Sequence, residues 1–514
     1  MNPALILAWL GLLTVRLAML LDPRFFDSDE AVTGLMGLSI LRGEFPFYYW
    51  GSGYPSSMEA FGVAAVLAVV PSARLATRLV PMVVHLAAVA VLAGVARKLT
   101  RSAGAAAAVV LAAALLPWPI VHFATQAVGR SLTPVIGAVI WSVFLFGSGR
   151  TQAAWLGFLF GFGFWNESSI VVMAAPVVLL WAREALARYR GRPLRFDRGM
   201  VTRGWAAVFL VAALVGVTPH LVRSHLHRGG PRPKPGYGSP AVVADRMARL
   251  CRESLPGALT SDHPFAPGKP GFAGQVAAAA ALTFGLVVVG LAVPGVRRIV
   301  PGARAGGLIG LSVWSIALLV VLWLGMGAAS EYMGRRYFVF AWPGAVVLAG
   351  LGGWVLARRR PAAAWAAGTA GFVALALNWA PFRATYESWV PPTAPLIQAL
   401  DAQGVRGAFA NYWIANLATL DTRERIIVAQ STGQPLRHAG YYRMLAGMDR
   451  VALVFNPARF ASDGALEPRL RRALAARGIR CRTVQAGEWT ILIPRRGTIP
   501  VDLVDSERKH FGSG

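Results

Sequence analysis

PALILAWLGLLTVRLAMLL, residues 3–21, runs straight into DPRFFDSDEAV, residues 22–32, and the junction of these two stretches decides the fold. The first is apolar along nearly its whole length, and the hydrocarbon core of a bilayer takes about 20 helical residues. It has no basic run ahead of it and no small-x-small pattern before Leu21-Asp22-Pro23, so it is expected to stay as a first membrane helix rather than be removed as a leader. Asp27, Asp29 and Glu30 then crowd against the end of that helix. Charges so close to a bilayer are expensive to hold without a task. A further helix is predicted from near Ala31, with Ala31, Leu35 and Leu38 on one face.

The rest of the chain repeats the first signal. With 55% hydrophobic residues, the 514-residue chain is too apolar for a soluble protein, so lipid is its main solvent. Apolar runs are predicted near 3–21, 57–71, 79–96, 103–117, 131–147, 153–182, 204–220, 273–294, 307–327, 337–357 and 361–380, which makes a polytopic bundle of about 11 helices, mainly α. The run 153–182 is broken by Asn166-Glu167-Ser168-Ser169, and reads as one kinked helix or as two.

The net charge of +27 does not point to nucleic acid, because the basic residues sit between apolar runs instead of forming one stripe. There they orient helices, since Lys and Arg near helix ends stay in the cytoplasm. Arg183 to Arg203, Arg297/Arg298/Arg304 and Arg358-Arg359-Arg360 agree in parity and go inside. Loops 22–56 and 221–272 and the whole tail then fall outside. Arg97, Lys98 and Arg101 also fall outside on this count, unless 57–71 fails to span and 153–182 crosses twice. The division expected is a transmembrane part, 1–380, and an extracytoplasmic α/β domain, 381–514, in which helix-like Ala394–Leu400, Ala415–Leu420 and Leu466–Arg477 alternate with strand-like Ile426–Ala429, Val451–Phe455, Arg482–Gln485 and Trp489–Ile493. Cys251 and Cys481 are both placed outside; one disulfide is permitted there and none is required.

Chemistry has two candidate seats on that outer side. The carboxylates Asp27, Asp29 and Glu30 suit a general base, which takes a hydroxyl proton while the oxygen attacks a sugar carbon. They equally suit the N-terminus of the following helix, where the macrodipole favours anions. Arg335 and Arg336, with Tyr337, stand where a loop enters a membrane helix and can grip a phosphate by bidentate bonds, or simply anchor in lipid headgroups. Glu59 faces the same cavity or caps its helix. Asn166 and Glu167 read as packing or function, and His122, Gln126 and Arg130 reach the outer side only if 153–182 crosses twice. His225, His227 and Lys234 sit in a Pro/Gly-rich loop, and scattered His and acidic residues give no metal-ligand spacing.

At these residues the chain resembles the GT-C superfamily of membrane glycosyltransferases, in particular bacterial relatives of protein O-mannosyltransferases and lipid A aminoarabinose transferases (family 39- or 83-like). Asp29-Glu30-Ala31, Gly43-Glu44-Phe45-Pro46 and Met58-Glu59-Ala60 look like the family's first loop, and Arg336-Tyr337-Phe338 with Trp342-Pro343 is similar to its arginine-tyrosine motif. Asn411-Tyr412-Trp413 with Arg423-Glu424-Arg425-Ile426-Ile427-Val428 looks like the tail of several members. The resemblance implies inverting transfer from a polyprenyl-phosphate sugar to a glycan, lipid or protein hydroxyl, on the outer face of the inner membrane. Asp29 would be the acceptor base, beside Glu30, and Arg336 a donor-phosphate ligand. Asp27, Glu59, Arg335 and Tyr337 complete the expected substrate surroundings; no cofactor is expected, a divalent cation being the alternative. The rival reading is a non-catalytic flippase or transporter of lipid-linked sugars, which predicts polar residues at mid-depth along the helices.

Overall fold

The computed structural model describes residues 2–52, 55–189, 203–226, 239–254, 294, 303–325, 332–389, 392–432 and 436–511. Most of loop 221–272, with His227 and Lys234, and the run 273–293 lie outside these. The first half of the chain folds as helices α1 (Pro3–Leu21), α2 (Ser28–Leu41), α3 (Met58–Leu67), α4 (Ala73–Thr100), α5 (Ala103–Ala114), α6 (Trp118–Ala124), α7 (Leu132–Phe146), α8 (Gly149–Asn166), α9 (Val171–Tyr189) and α10 (Arg203–Leu226). There follow α11 (Pro240–Arg249), α12 (Ala303–Gly325), α13 (Trp342–Arg359) and α14 (Pro361–Trp389).

The tail comprises α15 (Ala394–Ala402), β1 (Gly407–Asn411), α16 (Tyr412–Asp421), β2 (Ile427–Thr432), α17 (Ala439–Ala446), β3 (Val451–Phe455), α18 (Ala461–Ala476), β4 (Cys481–Ala486), β5 (Trp489–Pro494) and α19 (Val501–Phe511). Among the described residues, five helices are long and apolar enough to cross a membrane, or six if α5 and α6, bent by 97°, count as one span. The protein is therefore multi-pass, mainly helical, and carries a small mixed sheet.

The break at 166–170 is a turn between two helices and not a kink within one. Arg150, at the start of α8, abuts Gly204 at the start of α10, and Trp181, late in α9, stacks on Trp205. Asn166, at the other end of α8, meets Ser56 of the first loop. So α8 runs up and α9 runs back. The expected run 57–71 is only the ten-residue α3, about 15 Å of helix, too short to span.

Both findings correct the placement of Arg97, Lys98 and Arg101. Ala73 begins α4 beside the tail, where Arg74 grips Asp421, and 28 residues later the helix ends on the far side. There Lys98 lies over the Phe146 ring, and Trp354, four residues before Arg358, lies against Gly104. Arg97, Lys98, Arg101, Arg150, Arg183 and the Arg358–Arg360 triplet thus gather at the end away from the tail.

Small residues set the helix spacing. Gly157 and Gly161, four apart on α8, sit so close to α10 that a Cβ would stand 2.1 Å from Phe209 O and 2.1 Å from Ala213 O; close approach of backbones is the general way lipid-embedded helices associate. Arg16, buried in α1, donates to His85 of α4 and to Ala113 O at the end of α5. It thereby satisfies a carbonyl beside the bend.

In the tail the strand order is β2-β1-β3-β5-β4. β1 lies parallel to β2 and β3, while β5 is antiparallel to β3 and β4. The strand-like runs read from the sequence are β2 to β5. β1, GAFAN, escaped because small residues carry no β-branched signal, and α17 and α19 were likewise unmarked. Cys251 and Cys481 are free thiols.

The tail docks on α2. Gly34 makes this possible: a Cβ there would stand 2.7 Å from Leu420 Cδ2 and 2.7 Å from Thr77 Oγ1. Gly34→Val is expected to overpack the α2–α4–α16 contact and lower stability by about 1–3 kcal/mol, read as a fall in melting temperature of the detergent-solubilised protein with faster proteolytic release of the tail.

Candidate active site at the junction of helices and tail

Asp27 is the N-cap of α2: its carboxylate accepts from Glu30 N at 3.0 Å and from Gln126 Nε2 at 2.6 Å. Burial, together with the neighbouring Asp29 and Glu30, pushes its pKa well above the usual carboxylate range. Glu30 is fully buried. It faces Arg78 Nε at 3.5 Å and accepts from Ala127 N at 3.4 Å, and burial raises its pKa to about 7 against the opposing pull of Arg78. Arg78 also donates to Met19 O and Asp22 O, at 2.9 and 3.1 Å, closing the open end of α1.

Glu59 accepts from Gly129 N at 2.5 Å and from Ser131 Oγ at 2.9 Å. Gly129 has φ +78°, and a Cβ there would lie 3.0 Å from Pro55. The segment from Thr125 to Ser131 is thus threaded along three buried carboxylates, each of which accepts from it. Gln126 reaches the carboxylate cluster beside the tail, as the two-crossing arrangement requires. Asn166 joins this lattice through Ser56 and Thr133, while Glu167 accepts from its own neighbours Ser168 and Ser169.

Asp29 is different. Its side chain keeps 16% exposure, and Arg437 Nη2 of the tail reaches its Oδ1 at 3.1 Å. The Tyr412 hydroxyl donates to the same oxygen, and Tyr49 donates to its backbone carbonyl at 2.5 Å. Among the described residues, Oδ2 accepts no bond. Burial and the nearby Asp29 charge hold both phenols well above their ordinary pKa, so they remain donors.

Arg437 lies 5.5 Å from the Tyr49 ring and 5.4 Å from the Tyr412 ring. Gly51 lets it come so near: at φ +65°, a Cβ there would stand 2.8 Å from Arg437 Cα and 2.8 Å from Leu436 O. Tyr412 was visible in a quoted motif, and Tyr49 and Gly51 follow closely on the Gly43–Pro46 one. Arg437 was not visible, because it stands in an aperiodic link and only the folded chain carries it to α2.

The second expected seat lies apart from the first. Arg336 is half-buried in a 3-10 stretch, Tyr332–Phe340. Its Nη2 is 3.4 Å from Tyr337 OH and its guanidinium 5.2 Å from the Tyr337 ring. The stretch packs on α6 and α12, and α6 leads directly into the segment that holds the carboxylates. Arg336 makes no direct contact with Asp29. The Arg335 side chain and Glu331 lie outside what is described, and no cluster of three or more His, Cys, Asp or Glu among the described residues is placed to hold a metal ion.

This architecture is the GT-C fold. ArnT from Cupriavidus metallidurans bound to undecaprenyl phosphate superposes with a TM-score of 0.58 at 12% identity, over 95% of this chain and 97% of that one. The archaeal oligosaccharyltransferase AglB from Archaeoglobus fulgidus, in complex with an inhibitory peptide and a dolichol-phosphate, gives 0.48 at 12% identity, over 88% and 69%. No family model and no curated protein sequence matches.

Because folding raises the Glu30 pKa from 4.5 to about 7, the folded state binds the proton more tightly than the unfolded chain. That contribution to stability is full below about pH 4.5 and is lost as pH rises through 7. Glu30→Gln is expected to flatten the melting temperature over this window, measured in detergent from pH 4.5 to 7.5.

Proposed function

We propose that this chain is an inverting glycosyltransferase that moves a sugar from a polyprenyl-phosphate-linked donor to an acceptor hydroxyl at the extracytoplasmic face of the inner membrane. The observation that carries this reading is the difference among the carboxylates. Asp27, Glu30 and Glu59 are buried against the Thr125–Ser131 segment, and the partnerless Oε2 of Glu30 is sealed from solvent, whereas Asp29 keeps its side chain partly exposed where the helices meet the tail, with an Oδ2 that accepts no bond among the described residues. The undecaprenyl phosphate bound to ArnT supports a lipid-phosphate donor. The arginines gathered at the end away from the tail support an extracytoplasmic tail, since basic ends stay in the cytoplasm. We assign residues 1–380 to the membrane part and 381–514 to the outer α/β domain.

In the proposed reaction, Asp29 Oδ2 takes the proton of the acceptor hydroxyl as that oxygen bonds to the anomeric carbon. The bond from that carbon to the phosphate oxygen breaks, and its electron pair leaves on the polyprenyl phosphate. A single displacement of this kind inverts the anomeric centre. Arg336, with Arg335 and Tyr337, holds the phosphate as negative charge grows on it, the kind of stabilisation a preorganised cation supplies. Asp27, Glu30 and Glu59 act indirectly, by fixing the end of α2 and the segment that α6 leads into. A sugar, lipid or protein hydroxyl meets the requirement for the acceptor.

Asp29→Asn is expected to lower release of undecaprenyl phosphate from undecaprenyl-phosphate-linked pentoses and hexoses by roughly 10²–10⁴-fold, with membrane insertion unchanged; retained turnover contradicts the assignment. Arg336→Ala is expected to raise the donor KM about tenfold, which corresponds to the loss of one charge-assisted bond. An unaltered donor KM would remove Arg336 from the phosphate site.

A further inference from the structure

We infer that Arg437 of the tail is a positioning residue for the base, so that the active site is completed by the tail and not contained in the membrane helices. This rests on the reading of Asp29 as the base and adds to it which oxygen acts and what selects it. Arg437 and Tyr412 both address Oδ1, the first at 3.1 Å. Arg437 Nε also donates to Tyr412 OH at 3.2 Å, so the three groups close a ring in which the carboxylate plane is fixed. With Oδ1 saturated, Oδ2 is the oxygen left to meet an acceptor hydroxyl.

The contact is not needed to dock the tail. Arg74 already grips Asp421 with bonds of 2.7 and 2.5 Å, and Arg42 pairs with Glu424. Arg423, in the left-handed region at φ 48°, donates to Pro71 O at 2.7 Å. Ser28 donates to Tyr412 O at 2.6 Å and accepts from Asn416 at 2.9 Å. Each of these ties reaches the membrane helices or α2 without touching the Asp29 carboxylate. Among the described residues, Arg437 is the one that brings a charge from the tail to the exposed carboxylate.

The test uses the full-length protein in detergent micelles, with the undecaprenyl-phosphate-linked hexose or pentose that the parent protein turns over. Arg437→Ala is expected to lower kcat by about 10–100-fold with donor KM within twofold. Arg437→Lys, which restores the charge but not the two-bonded fork, is expected to leave kcat reduced, again with donor KM within twofold.

Arg74→Ala, which weakens docking alone, is expected to lower the melting temperature with kcat of the folded protein within twofold of the parent. Unchanged kcat in Arg437→Ala, or a loss confined to donor KM, overturns the inference. If Asp29→Asn is inactive while Arg437→Ala behaves in that way, only the role of Arg437 falls. If Asp29→Asn keeps its turnover, the base reading itself has failed.

Discussion

A carboxylate taken out of water has to be paired or hydrogen-bonded, or else neutralised, and this requirement organises the end of the molecule that meets the tail. Four acids, Asp27, Asp29, Glu30 and Glu59, meet where the helix ends converge. Three are held from within the membrane part by Gln126, Ala127, Gly129, Ser131 and Arg78, and the oxygen of Glu30 left without a partner is offset by neutralisation, since burial raises that pKa to about 7. That arrangement fixes the Thr125–Ser131 segment, closes the end of α1 through Arg78, and brings α2, α3 and α4 together. The fourth is satisfied from outside, by Tyr412 and Arg437. One cluster of charge thus welds the bundle and receives the tail.

In the proposed function, the two readings of the first loop, catalytic carboxylates or helix-end charges, are divided between neighbouring residues. Asp27 is an N-cap in full, its oxygen on the Glu30 amide. Glu30 is buried against Arg78. Asp29 points to the tail, partly exposed, with an Oδ2 that accepts no bond among the described residues. A sequence places all three within a single helical turn and cannot distinguish them, because the distinction depends on which partner each side chain meets. Those partners come from residues 78, 126–127, 412 and 437.

The membrane part was legible because apolar runs and helix length are set by the same bilayer thickness. The exceptions have physical reasons. Residues 57–71 are apolar but form only ten helical residues before Pro71. The polar interruption at Asn166 reads as a kink or a turn until Ser56 is seen bonded to it. In the tail, the β-branched strands stood out while Gly407–Asn411, which pairs at the centre of the parallel sheet, did not. Arg437 lay in no pattern at all. Its position follows from Gly51, which admits the tail backbone to within contact of the first loop.

The central claim is that a lipid phosphate on Arg336 and the open oxygen of Asp29 serve one sugar, although the two side chains do not touch. The direct measurement is an electron cryo-microscopy structure of the full-length protein with undecaprenyl phosphate in lipid nanodiscs. The account predicts phosphate density within hydrogen-bonding distance of Arg336, with the space of about one sugar ring between it and Asp29 Oδ2. Phosphate bound at the arginine-rich end away from the tail, or anywhere that leaves Asp29 beyond reach of the donor sugar, contradicts it.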